Sequence, residues 1–121
     1  MSWKLDADRQ IWLQLMEILT QRVVSGEYPP GERIPSVRDL AAEAGVNPNT
    51  MQRTLAAMED EGLLTSQRNT GRYVTQDAAL LHAKRDALAQ KELALFREKM
   101  KLLCYTEQEI KELLSKEETH E

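Results

Sequence analysis

The chain has 121 residues, 41% hydrophobic and 30% charged, with a formal net charge of −4. That length holds one small domain and an appendage but no second full domain, and the acidic balance argues against a surface that is basic throughout. The single cysteine, Cys104, excludes an intramolecular disulfide; no stretch approaches the roughly 18 consecutive apolar residues of a membrane span, and Met1-Ser2-Trp3-Lys4-Leu5-Asp6 lacks the pattern of a secretory signal, so a reduced, soluble, cytoplasmic protein is expected.

Ile11, Leu15, Ile18 and Val23, with Trp12 and Leu19 beside them, mark a first helix from about Asp8 to Val24, stopped by Ser25-Gly26. Trp12 reads as core or interface rather than as a platform for bases. Tyr28-Pro29-Pro30-Gly31 makes a rigid turn that delivers Ile34 and Pro35 to the next helix. Ser36 caps that helix, with Asp39 reaching back from three residues on. Val37, Leu40, Ala41 and Ala44 supply its apolar stripe, and Gly45 permits the sharp turn that follows. Asn47 is the next cap, and Pro48 sits where its missing N–H costs nothing. The helix started there turns Met51, Leu55 and Met58 inward and leaves Asn49, Gln52 and Arg53 outward near its amino end, a set suited to base edges and phosphates. Gly62-Leu63-Leu64 closes it. Two short strands, Leu63 to Ser66 and Arg72 to Thr75, are joined at an Asn69 to Gly71 turn.

Two short helices, a tight turn and a basic hairpin make a winged helix-turn-helix, expected over residues 1–75. Capped helices with polar outer faces occur in any small helical protein; the ordered run of cap, helix, glycine turn, Asn-Pro cap, helix, glycine stop and hairpin is harder to obtain by chance. Every cation between residues 33 and 75 is an arginine (Arg33, Arg38, Arg53, Arg68, Arg72), while Glu59, Asp60 and Glu61 cluster at the far end of the second of the two helices. Such segregation gives a local positive face despite a negative total.

Beyond Gln76 the composition turns to Ala, Leu, Lys and Glu without Gly or Pro, which predicts a long helix from about Asp77 to Leu103. Leu81, Leu88, Leu95 and Leu102 recur every seven residues, and Ala89, Leu93, Phe96, Met100 and Leu103 form a second row. At about 100° per residue, Arg85, Glu92 and Lys99 fall between the rows. Two apolar seams on one helix call for a second partner, and a homodimer through Leu81, Leu88, Leu95, Phe96 and Leu102 is the expectation; a single seam drifting around the helix is the plainer alternative. Thr106-Glu107-Gln108-Glu109 is a further capping box, and Ile110, Leu113 and Leu114 give the short helix after it one narrow stripe that folds back on the long helix. Residues 76–121 thus form a helical dimerisation region, mainly α like the rest of the chain, and Glu117 to Glu121 is expected to fray.

The run Pro30-Gly31-Glu32-Arg33-Ile34-Pro35-Ser36-Val37-Arg38-Asp39-Leu40-Ala41 resembles the signature of the GntR family of bacterial transcriptional regulators, and Gln10-Ile11-Trp12-Leu13-Gln14-Leu15 is similar to that family's first-helix opening. The likeness covers about residues 5 to 75, and a tail of only two helices resembles the YtrA-type branch, in which a short helical appendage serves dimerisation. The resemblance implies a sequence-specific regulator, most simply a repressor, acting as a homodimer on a palindromic operator in double-stranded DNA. It carries DNA contacts onto Arg38, onto Asn47, Asn49, Thr50, Gln52 and Arg53 of the recognition helix, and onto Arg68 and Asn69 of the wing. Arg72 extends the wing footprint. Where the family has a glycine pair around the wing tip, Asn69 holds the first place and Gly71 the second.

A winged-helix module that binds protein and not DNA is the competing function. An enzyme is not expected: no nucleophile has a nearby histidine by motif, and no glycine-rich phosphate loop occurs. His82, His120 and Cys104 are too scattered for a metal site, so no cofactor is expected, and no membrane partner. With only about 45 residues after the wing, an effector pocket of roughly 300 Å³ within one subunit is not expected, and the residues name no small-molecule effector.

Overall fold

The computed structural model describes residues 3–118; the expectations placed on Met1, Ser2 and the tail residues 119–121, His120 among them, lie outside them. The elements in chain order are α1 (Ile11–Val24), α2 (Val37–Ala44), α3 (Pro48–Asp60), β1 (Leu64–Gln67), β2 (Gly71–Val74), α4 (Ala78–Leu102) and α5 (Glu107–Glu118). The chain divides into two compact units between Arg85 and Asp86.

In the first unit α1 begins three residues later than its apolar periodicity predicts. Gln14, only 4% exposed, holds the preceding turn. Its Nε2 donates to the carbonyls of Asp6 and Arg9 at 2.7 and 3.1 Å, and its Oε1 accepts the Asp6 amide at 2.6 Å. Leu15, Leu19 and Val23, spaced by four, form the buried stripe of α1, and Ile18 is left half-buried. The stripe closes on Leu40 and Ala41 of α2, on Met51, Leu55 and Met58 of α3, and on Ile34, Leu63, Leu64 and Val74 around the hairpin.

The helix-turn-helix itself follows from its caps. Ser36 Oγ accepts the Asp39 amide at 3.1 Å, and Asn47 Oδ1 accepts the Asn49 amide at 2.7 Å, with Pro48 in the first helical position. Between them Gly45 takes φ +72°, and the Val46 amide reaches back to the Ala41 carbonyl. Gly62 does the same after α3 at φ +81°, with Leu63 bonding back to Met58. β1 and β2 then pair antiparallel, Leu64 opposite Val74 and Gln67 opposite Gly71. Residues 31–34 run beside β2: the Ile34 amide donates to the Arg72 carbonyl, the Val74 amide to Glu32, and Arg33 bridges Tyr73.

The first turns of α4 belong to this unit, not to the region after residue 75 where the composition changes. Leu81 packs on the winged-helix core, a Leu80 methyl lies against Gly62, and Lys84 pairs with Glu61. Leu81 thus gives part of its surface to the winged-helix core and is left half-buried. In the second unit α4 has no buried residue, and Leu93, Leu95, Phe96, Leu102 and Leu103 are all exposed. The helix ends without a glycine: Cys104 takes φ +65°, and the Tyr105 amide bonds back to the Met100 carbonyl. Thr106 and Glu109 then cap α5 reciprocally, at 3.0 and 3.2 Å. Ile110 is 4% exposed, and Arg97 pairs with Glu107 at 3.2 Å to tie the two helices.

Candidate nucleic-acid interface

Asn49, Gln52 and Arg53 sit exposed on the amino-terminal half of α3, because Met51, Thr54, Leu55 and Met58 occupy its inner face. Thr50 is half-buried, and Asn47 is exposed with its side-chain oxygen engaged by the cap. Gln52 has amide donor and acceptor groups free to meet adenine, and Arg53 a planar set of donors for guanine or phosphate. Thr54, with no solvent exposure, fixes α3 on α1: its hydroxyl lies 3.0 Å from the Thr50 carbonyl and 3.3 Å from that of Trp12.

Arg38 lies exposed in the first turn of α2. The amides of Val37 and Arg38 have no partner one turn back, as at every helix start, so helix and guanidinium both favour an anion there. Arg33 to Arg38 and Gly71-Arg72 line an open groove of about 310 Å³. Arg33 lies across Gly71, whose missing Cβ would stand 2.9 Å from Arg33 Nε; with φ +119° this position requires glycine. Sequence patterning marks Arg33 only as a cation, since the proximity depends on residues 31–34 pairing with β2.

At the wing tip Arg68 and Asn69 are exposed, and Asn69 adopts φ +65°, the left-handed conformation that asparagine tolerates in the first place of the usual glycine pair. Arg72 is placed otherwise. It is half-buried and pairs with Glu59, which also accepts from Ser66 Oγ at 2.8 Å. Burial acts to raise the Glu59 pKa, but hydrogen bonds from Arg72 and Ser66 and the charge of Arg72 outweigh it and hold the carboxyl below its ordinary range. The wing arginine nearest the core thus braces β2 against α3. Arg33, Arg38, Arg53 and Arg68, by contrast, have no carboxylate partner among the described residues. Glu59 and Glu61 are paired with Arg72 and Lys84, so two of the three acids behind α3 are offset locally and draw less on the cations in front of it.

Two aromatic contacts have no counterpart in the sequence patterning. Arg22 is buried on α1, 4.2 Å from the Trp3 ring centroid, donating to the Tyr28 hydroxyl at 2.9 Å and facing Glu27 at 3.1 Å. Trp12 is half-buried and carries Arg53 over its ring. Neither pairing has a local signature, because the partners lie in segments that meet only when the unit folds. Among the described residues no group of His, Cys, Asp and Glu is arranged to hold a metal ion, and no helix is long and apolar enough to cross a membrane.

The family model of bacterial regulatory proteins, gntR family, matches residues 12–74. The chain is 34% identical over 112 residues to the HTH-type transcriptional regulator YhcF of Bacillus subtilis, covering 93% of each. It is 28% identical to the HTH-type transcriptional repressor YtrA of Bacillus subtilis, over 77% of this chain and 67% of that one. A solved GntR family transcriptional regulator from Listeria monocytogenes superposes with a TM-score of 0.84 at 28% identity, covering 93% of this chain and 98% of that chain.

Proposed function

Because the chain belongs to the GntR family and carries its DNA-binding winged helix-turn-helix, we propose that it is a transcriptional repressor that binds a palindromic operator in double-stranded DNA as a homodimer. The observation that carries this is the exposed amino half of α3, with Asn49, Gln52 and Arg53, flanked by Arg38 and Arg68, cations without a carboxylate partner among the described residues. In this reading Arg38 and Arg68 hold phosphates and set the register, while Asn49, Gln52 and Arg53 meet base edges. Asn47, Thr50 and Asn69 line the same surface, and Arg72 acts from behind it by fixing the wing.

The dimer is supported by the apolar surface of the second unit, where Leu102 is 85% and Leu103 67% exposed. Monomers rarely leave such a stripe in water, and a second copy of the same helices would cover it. The name of the YtrA relative supports repression, and in this reading the protein acts in the cytoplasm by occupying a promoter.

Sedimentation at micromolar concentration, together with selection of duplexes from a randomised library, tests the proposal. A dimer that selects an inverted repeat with half-sites about one helical turn apart is expected, and a promoter carrying that repeat should lose activity when the protein is expressed. A monomer that selects no duplex would instead favour a winged-helix module for protein binding.

A further inference from the structure

The Arg53 guanidinium lies 4.3 Å from the centroid of the Trp12 ring. The Trp12 indole N–H donates to Gln10 Oε1 at 3.0 Å, and its backbone carbonyl, 3.3 Å from the buried Thr54 hydroxyl, ties this point of α1 to α3. Arg53 is exposed and has no carboxylate partner among the described residues, so the ring is its one holder there. An arginine held only by solvent loses rotamer freedom when it binds, whereas one stacked on a fixed indole has already given up part of it. Stacking occupies the face of the guanidinium and leaves its N–H donors in plane at the edge. Paired in-plane donors match the O6 and N7 edge of guanine, while a lone phosphate contact tolerates many orientations.

We infer that Trp12, a residue of α1, is a positioning residue for sequence reading: it holds Arg53 so that α3 recognises one guanine in each half-site. The inference rests on the proposed DNA-binding role of α3. It gives α1 a part in specificity as well as in the core.

The full chain first selects a duplex from a randomised library, and each base pair of that site is then replaced singly. Arg53→Ala and Trp12→Leu are expected to lose preference for the same guanine, by about fivefold to a hundredfold, while Trp12→Tyr keeps it. The salt slope of Trp12→Leu should match that of the unaltered chain, since every phosphate ligand stays in place. Adding Trp12→Leu to Arg53→Ala should cost no further discrimination. A Trp12→Leu loss spread evenly over all base pairs, or a reduced salt slope, overturns the inference. So does unchanged guanine preference in Trp12→Leu, in which case the proposed function still stands; an unaltered chain that selects no duplex removes both. A second readout leaves Trp12 in place. The chain has two tryptophans, so Trp3→Phe leaves Trp12 as the remaining indole. In that background Arg53→Ala should change the Trp12 emission of the free protein, and identical emission with and without Arg53 overturns the inference.

Discussion

At the scale of single residues, the cations of this acidic chain fall into two groups that composition alone does not separate. Arg22 and Arg72 are neutralised inside the fold, whereas Arg33, Arg38, Arg53 and Arg68 have no carboxylate beside them among the described residues. Arg38→Ala is therefore expected to weaken selected and random duplexes alike, lowering the slope of log K against log salt by about 0.9 for each phosphate it no longer neutralises. Gln52→Ala should instead change base preference, by about 1–3 kcal/mol at the pair it reads. Titration of affinity against salt separates the two, and an unchanged slope in Arg38→Ala would remove its phosphate role. Glu59 gives a pH test of the wing. Its folded-state pKa lies below the ordinary 4.5, so its stabilising effect is fully present above that value and is lost as the pH falls through the lower folded value. Melting curves of the unaltered chain and Glu59→Gln should differ at neutral pH and converge in acid.

At the scale of elements, α3 is held in place by its ends. Asn47→Ala removes the cap and should cost about 1 kcal/mol. Gly62→Ala is expected to cost more, because φ is +81° and the new Cβ would meet a Leu80 methyl at 3.3 Å, where the turn after α3 lies against the start of α4. Thermal unfolding with both variants checks the order. The caps and glycines of α2 and α3 were legible in the sequence because each acts over three or four residues. The start of α1 was not, since Gln14 builds the turn before it with bonds to Asp6 and Arg9 that apolar periodicity does not encode.

For the whole molecule, the decisive quantity is the apolar surface that one chain leaves in water. Ile110 is buried, but Leu95, Phe96 and Leu114 are 43%, 39% and 52% exposed. Leu95→Asp with Phe96→Asp is expected to give a monomer, because a dimer interface would have to desolvate both charges. A chain ending at Arg85 should be monomeric as well and bind a half-site weakly, without the effective concentration of two linked reading heads. A chain ending at Thr75 should in addition melt lower, because it gives up the Leu81 packing and the Lys84 pair with Glu61. Sedimentation, half-site titration and melting of the shortened chains check these outcomes; a dimeric chain ending at Arg85 would place the interface elsewhere.

The sequence by itself determined the order of elements, the caps and glycine stops, the winged-helix class and the outward residues of α3. These depend on neighbours within a turn or two, where spacing alone decides which groups meet. Tertiary structure decided which cations remain available. Arg72 meets Glu59 across 13 positions, Lys84 meets Glu61 across 23, and Thr54 meets Trp12 across 42. It also laid Leu81, whose seven-residue spacing matches the seam, partly against the winged-helix core. Periodicity shows that a helix face is apolar, but the element that covers that face is chosen by packing between segments distant in the chain.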